Sequence, residues 1–352
     1  MIELLDSILP YIQGLNTLPW ILVGFIVTII LSKFFGEEKI NKIMRKIGLI
    51  LLYIFIPLLL FRIFLGVDFS RNEILFTIAC FLIFSLMYSI AYIYAKSKTA
   101  KLLDSEKSNF IKTILTNQGR SSAFIGGTML AISEWRVQAA IYMSVGAIFL
   151  FAFIPYILAY LHKKEINKEE SSLKIKALPW YLKLYPWFLL IFAFTAIFLH
   201  VKMGLTTNDF GINGNTIFIF FTQLTIPAAL YYVGAGIHPN DLKIQELKKL
   251  FSIKHETKDH WPLVRNIFFL TVVITPIITI IIFGILLAIK IIPNNWFAVI
   301  FINSILPITS TNMFLIPYGI DKKVTALSIT WTTIFCVPIV ITLIFVFSIL
   351  FV

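Results

Sequence analysis

The sequence predicts an all-α membrane protein of ten transmembrane helices in two inverted five-helix repeats, with the helices of spans four and nine broken. Three observations carry the prediction. Of the 352 residues, 59% are hydrophobic, 15% aromatic and only 14% charged, with a mean hydropathy of +0.89, the composition of an integral membrane chain. Lysine and arginine fall mostly in alternate connections. Two apolar segments, one in each half, are interrupted by polar and helix-breaking residues, Asn117 to Gly127 (NQGRSSAFIGG) and Asn303 to Asn312 (NSILPITSTN).

A helical span needs about 20 mainly apolar residues, so the chain holds about ten with short connections and no large soluble domain. The apolar runs place spans near Leu18 to Phe35, Ile47 to Leu65, Ile74 to Ala95, Ile111 to Ile132 and Ala139 to Leu161. A lysine-rich cytoplasmic linker over 163–183 follows. The second half gives Tyr185 to Val201, Thr216 to Ile237, Val264 to Ile289, Trp296 to Tyr318 and Val324 to Val352. The repeats are therefore expected at 1–162 and 184–352. Glu3 and Asp6 stand where a cleavable signal would be basic, and Lys33 is the first cation, so the first span is expected to be retained.

Short cytoplasmic loops carry an excess of Lys and Arg. With the N-terminus outside, the external connections hold only Arg71, Arg136, Lys202 and Lys290, while Arg62 and Arg120 lie within spans. Both termini are then external to a cytoplasmic membrane. The net charge of +12 reads as topology and attraction to an anionic leaflet. Its scatter over several loops argues against nucleic acid as a partner. Five spans per half make the second half enter from the opposite side, so any repeat is inverted. Pro57 (LLYIFIPLLLF) and Pro227 (FTQLTIPAALYY) fall at comparable depths in spans two and seven, as structural helix breaks. Proline in a helix interior costs about 3 kcal/mol unless its neighbours compensate.

Irregular backbone at membrane depth survives only where it is buried in protein or lines a wet cavity. Paired breaks of this kind mark a carrier's substrate site. Asn117 and Asn303 occupy matching places ahead of the breaks, where each amide can cap a half-helix or face a ligand. Pro307 lacks an N–H and ends the first half of span nine.

The stretches LLYIFIPLLLFRIFL, PAALYYVGAGI and NSILPITSTNMFLIPYGIDKKVTALSITWTTIFCVPIV resemble those of the auxin efflux carrier family, within the bile, arsenite and riboflavin transporter-like superfamily. The resemblance covers most of the chain. Its most specific part is the break at Pro307 followed by Tyr318, Gly319, Asp321 and the late Pro338. It implies a carrier whose spans one, two, six and seven form a scaffold that usually dimerises. Spans three to five and eight to ten would form a transport unit whose broken helices cross at the substrate. The fourth span departs from the family's pattern of Asn, any residue, Gly, an apolar residue, any residue, Gly, any residue, Pro. Only Asn117 and Gly119 match. Arg120 replaces an apolar residue, Ser122 a glycine and Phe124 the proline, with Gly126 and Gly127 following to keep the break.

An arginine at helix centre costs about 2.5–3.5 kcal/mol on insertion scales. Helix N-termini favour anions, and a guanidinium fork matches a carboxylate. The expected ligand is thus a small organic anion held by Asn117, Gly119, Arg120, Ser121, Ser122, Asn303, Thr309, Ser310, Thr311 and Asn312. The alternative is that Arg120 pairs with carbonyls, Asn117 or a loop carboxylate such as Asp68, Asp104 or Glu134, and locks the break.

No acidic residue or histidine presents a convincing proton relay, with His200 at the outer end of span six. A sodium site would draw on Gln223, Thr309 and Asn312, as in a symporter resembling the bile-acid symporters. A non-transporting ligand sensor is the rival of a different class. No cofactor is implied, since the chain has neither a metal-ligand spacing nor a phosphate loop. Ser121 and Ser122 have no base at their depth, so the chain is not read as an enzyme. Cys80 and Cys336 read as small packing residues. Gly234 and Gly236 read as a helix-packing pattern, and Trp20, Trp135, Trp180, Trp187 and Trp296 as interfacial belts. His238, His255 and His260 read as solvated loop residues.

Overall fold

A computed structural model describes residues 19–66, 70–99, 104–122, 125–166, 180–236, 260–309, 312, 315 and 320–351. Nearly all of these are helical, and no strand forms among them. The helices are α1 (Trp20–Phe35), α2 (Glu37–Ile50), α3 (Ile56–Phe64), α4 (Arg71–Lys98), α5 (Asp104–Thr116), α6 (Arg136–Ile148) and α7 (Ile154–Ile166). They continue with α8 (Trp180–Met203), α9 (Gly211–Gln223), α10 (Thr225–Ala235), α11 (Trp261–Phe269), α12 (Thr275–Ala288), α13 (Asn294–Ile305) and α14 (Lys322–Phe351). Five helical stretches among the described residues are long and apolar enough to cross a bilayer: Glu37–Phe64, Arg71–Lys98, Thr207–Ala235, Trp261–Ala288 and Lys323–Phe351. Trp20–Phe35 and Trp187–Met203 are apolar but shorter.

Burial runs opposite to that of a water-soluble fold. Ile277, Ile281 and Ile285 form an exposed stripe at four-residue spacing on α12, each half or more exposed, whereas Asn117, Gln118, Asn312 and Ser328 are fully buried. A continuous exposed apolar face of this kind is costly in water, and hydrocarbon is the solvent it suits.

Several helices extend beyond the apolar runs. The second begins at Glu37 rather than near Ile47, because EEKINKIMRK continues the helix with a charged outer face. Pro57 does not break it. Leu51–Phe55 widens into a π-turn, and Ile56 donates its N–H to Leu51, five residues back. The same device recurs at Phe149–Phe153 before Pro155 and at Leu270–Ile274 before Pro276, with Ile154 and Thr275 donating to Phe149 and Leu270. A proline ring collides with the carbonyl four residues behind it, and the wider turn moves that carbonyl aside. Pro227 is also accommodated, lying three residues into α10 just after a one-residue step at Leu224.

By packing, the chain divides into two compact units. The first takes Met1–Thr77, Ala123–Ser144 and Trp187–Pro239, the second Ile78–Ser122, Val145–Pro186 and Asn240–Val352.

In the first unit α1 and α10 touch through their backbones. A β-carbon on Gly24 would lie 2.1 Å from the Tyr231 carbonyl oxygen, and one on Gly234 would lie 1.8 Å from that of Ile21. Such approach is what small residues permit between helices that share no water to expel. Arg62 Nη1 donates to the Ile219 carbonyl at 3.2 Å, linking α3 to α9. Beside this link an apolar cavity of ≈ 410 Å³ is lined by Leu58, Phe61, Phe192, Phe210, Gly214 and Phe218.

In the second unit α11 and α13 pack on α14, and α5 packs on α7. The Phe149 ring, part of a π-turn, stacks on Phe84 and Tyr88 at 5.3 and 5.8 Å. Tyr94 donates to Asn266 Oδ1 at 3.0 Å, tying α4 to α11. Cys80 and Cys336 are buried free thiols. Trp20, Trp180 and Trp187 are exposed, but Trp135 and Trp296 are buried, so these last two are core residues rather than members of a lipid-facing belt.

Candidate functional site

Helix α5 ends at Thr116 and tightens into a turn, with Gln118 donating to the Leu115 carbonyl at 3.1 Å and Gly119 to that of Thr116 at 3.2 Å. Helix α13 ends at Ile305. Leu306 adopts φ −52° and ψ 143°, the extended conformation that a following proline imposes. Pro307 then brings no N–H to continue the helix.

The two interruptions satisfy one another. Arg120 and Ile308 form an antiparallel bridge, in which Ser121 N–H donates to the Pro307 carbonyl and Thr309 N–H to that of Gly119, both at 2.9 Å. Ile308 N–H donates to Thr332 Oγ1 at 3.2 Å. Every backbone group so paired escapes a penalty of several kcal/mol in hydrocarbon. A β-carbon on Gly119 would sit 2.5 Å from Asn312 Oδ1 and 3.0 Å from Leu150 Cδ1, so both side chains would have to shift to admit one.

The two asparagines behave alike. Asn117 Nδ2 donates to the Thr113 carbonyl and Asn303 Nδ2 to the Val299 carbonyl, each four residues back at 2.8 Å. Asn117 Nδ2 also reaches Thr325 Oγ1 at 3.2 Å. Both amides therefore fasten the last turn of their own helix. Asn117 Oδ1, Gln118 Oε1, Ser122 Oγ, Ser328 Oγ, Thr116 Oγ1 and both amide atoms of Asn312 are buried with no hydrogen-bond partner among the described residues. Such atoms are costly unless something bonds to them, and together they offer a ligand both donors and acceptors.

Arg120 is only 5% exposed. The helix ends that meet here are the C-termini of α5 and α13, which carry partial negative charge. The dipole contribution expected from half-helix N-termini is therefore not what these two helices supply. Any attraction for an anion that these two helices place here comes from the guanidinium and not from their dipoles.

Of the remaining expected ligands, Ser121 and Thr309 are buried in the pairing, while Ser310 and Thr311 lie outside the described residues. Gly126 and Gly127 open a 3₁₀ turn, Gly126–Ala131, which belongs to the first unit. Gln223 ends α9 in the first unit, whereas Thr309 and Asn312 belong to the second. Glu134 is exposed and accepts from Ser133 Oγ at 2.7 Å. Asp68, the Asp104 side chain, Phe124, Tyr318, Gly319, His238 and His255 lie outside the described residues. His200 Nδ1 is 3.0 Å from the Leu205 carbonyl, at a helix end.

Sequence reasoning missed Thr113, Thr325 and Thr332, which read as unremarkable positions in apolar helices. It also missed the buried Lys112, 2% exposed, and the pairing of His260 Nδ1 with Asp321 Oδ2 at 3.3 Å. The single available signal was a run of hydroxyls on α14, from Thr325 through Ser328 to Thr332, too polar for a face turned to lipid.

Compared with known proteins, the chain matches no family model and no curated protein sequence.

Proposed function

We propose that the chain is a secondary carrier for a small organic anion, a monocarboxylate or dicarboxylate, working by alternating access in ten spans built as two inverted repeats of the auxin efflux carrier type. One observation carries this reading: two interrupted helices pair at the buried Arg120, among amide and hydroxyl groups whose bonding capacity is unused within the described residues. A guanidinium meets a carboxylate through two parallel hydrogen bonds, and a cation placed in such a site marks a ligand path. A scaffold of spans one, two, six and seven is consistent with one compact unit that holds α1, α2, α3, α9, α10 and most of α8, although that unit also takes in Ala123–Ser144, with most of α6. The scaffold is the expected dimer surface, and both termini are external. Transport direction follows the gradients.

The test is counterflow in proteoliposomes against a panel of organic acids, comparing the natural chain with Arg120→Ala at varied pH and sodium. Saturable exchange of a carboxylate is expected, reduced about tenfold or more in the variant by loss of a charge-assisted pair, and without a sodium requirement. Unchanged exchange in Arg120→Ala would remove the arginine from the site. Strict sodium dependence would favour a symporter, and binding without any transport would favour a sensor.

A further inference from the structure

We propose that His260 and Asp321 form a proton-binding site joined by hydrogen bonds to Asn117, so that a proton taken up at the end of α11 is felt at the paired breaks. For its effect on transport the inference rests on the carrier reading. For the site itself it rests on geometry.

His260 stands immediately before α11 and Asp321 immediately before α14, with Nδ1 3.3 Å from Oδ2 and side chains 39% and 24% exposed. Solvent protons reach both. The other carboxylate oxygen of Asp321 accepts the Val324 N–H at 3.0 Å and so caps α14. From Asp321 two routes lead inward. Its carbonyl accepts from Thr325 Oγ1 at 2.8 Å, and that hydroxyl accepts from Asn117 Nδ2 at 3.2 Å. Its N–H donates to Thr113 Oγ1 at 3.2 Å, and the Thr113 carbonyl accepts from Asn117 Nδ2 at 2.8 Å. The two routes close a ring that joins Asp321 to Asn117 through Thr113 and Thr325.

Histidine is the side chain whose ordinary titration falls between pH 5 and 8. With both ring nitrogens protonated, His260 is an imidazolium that donates to the Asp321 carboxylate as an ion pair. With Nδ1–H alone, the hydrogen bond remains and the Coulombic attraction is lost. The elements that meet here carry Tyr94 on α4, Lys107 and Lys112 on α5, Arg265 on α11 and Lys323 on α14. On α5, Asp104 and Glu106 precede Thr113 by nine and seven residues. No Asp, Glu or His among the described residues is buried, and this partly exposed pair is in hydrogen-bonded contact with the break.

Two variants of the full chain test the proposal. Asp321→Asn keeps an acceptor for Val324 N–H, and asparagine is as good a cap as aspartate. His260→Gln keeps a donor and removes the titration. The first measurement is hydrogen exchange of the segment around Asn117 in lipid nanodiscs, corrected for the intrinsic effect of pH, which needs no transport. Protection in the natural chain is expected to rise as pH falls from about 8 to about 5.5, and to be flat in both variants. The second is counterflow of whichever acid the natural chain carries, with a severalfold pH dependence expected only in the natural chain. A pH profile that survives in His260→Gln, in either measurement, overturns the proposal. Transport without pH-dependent protection leaves the carrier reading standing and removes the proton site. Protection without transport of any acid does the reverse.

Discussion

Gly119 and Thr309 share a backbone hydrogen bond of 2.9 Å, and with Ser121 and Pro307 they clasp two interrupted helices from opposite halves of the chain. Gly119→Ala would drive a methyl group to 2.5 Å from Asn312 Oδ1. Overpacking of this kind costs about 1–3 kcal/mol. We expect a lowered unfolding temperature in detergent, together with weakened organic-acid binding. Gly127→Ala, where a β-carbon meets nothing within 4 Å, serves as the near-neutral comparison.

The contact between α1 and α10 predicts a harsher result. Gly234→Ala places its β-carbon 1.8 Å from the Ile21 carbonyl oxygen, and a backbone atom cannot rotate away as a side chain can. Loss of folded protein on size-exclusion chromatography is the expected outcome. Gly284→Ala, inside α12 with open space around it, should instead raise the unfolding temperature slightly, by the helix preference of about 0.5–1 kcal/mol of alanine over glycine.

Arg120→Lys separates charge from shape. A lysine keeps the cation but presents a point charge in place of a planar fork. Affinity for a carboxylate should fall about tenfold while the fold is retained, as read by equilibrium binding of a transported acid. An affinity equal to that of the natural chain would mean that the charge alone is used.

Thr325→Val removes the hydroxyl that bonds both Asn117 Nδ2 and the Asp321 carbonyl. Each such bond contributes about 0.5–1.5 kcal/mol. In a double-mutant cycle with Asn117→Ala, the two losses should be smaller together than their sum, since both delete the same bond. Strict additivity in thermal unfolding would show that the bond contributes nothing.

Much of this was legible in the sequence because it is written locally. Leu306 had to leave the helix because Pro307 follows it. The interruption of both helices at paired asparagines needed only the residues themselves. The register of the clasp, with Arg120 facing Ile308, was not legible, because it is set by contacts between residues nearly two hundred positions apart. Nor were the roles of Thr113, Thr325 and Thr332, since a threonine in an apolar helix looks the same whether it bonds its own turn or another helix. The true start of the second helix was hidden by Lys39, Lys42 and Lys46, whose charge ended the apolar run while the backbone went on.

The three π-turns before Pro57, Pro155 and Pro276 carry a consequence for how these helices tolerate change. Each is equivalent to one residue more than an α-helix needs, and one residue turns everything beyond it by about 100°. Replacing the proline would not remove that extra residue, so the outer and inner faces downstream would keep their present assignment. Deleting a single residue from Leu51–Phe55 would restore regular winding and swing Leu59, Leu60 and Ile63 away from the core. In these helices residue count, more than residue identity, decides which face meets lipid.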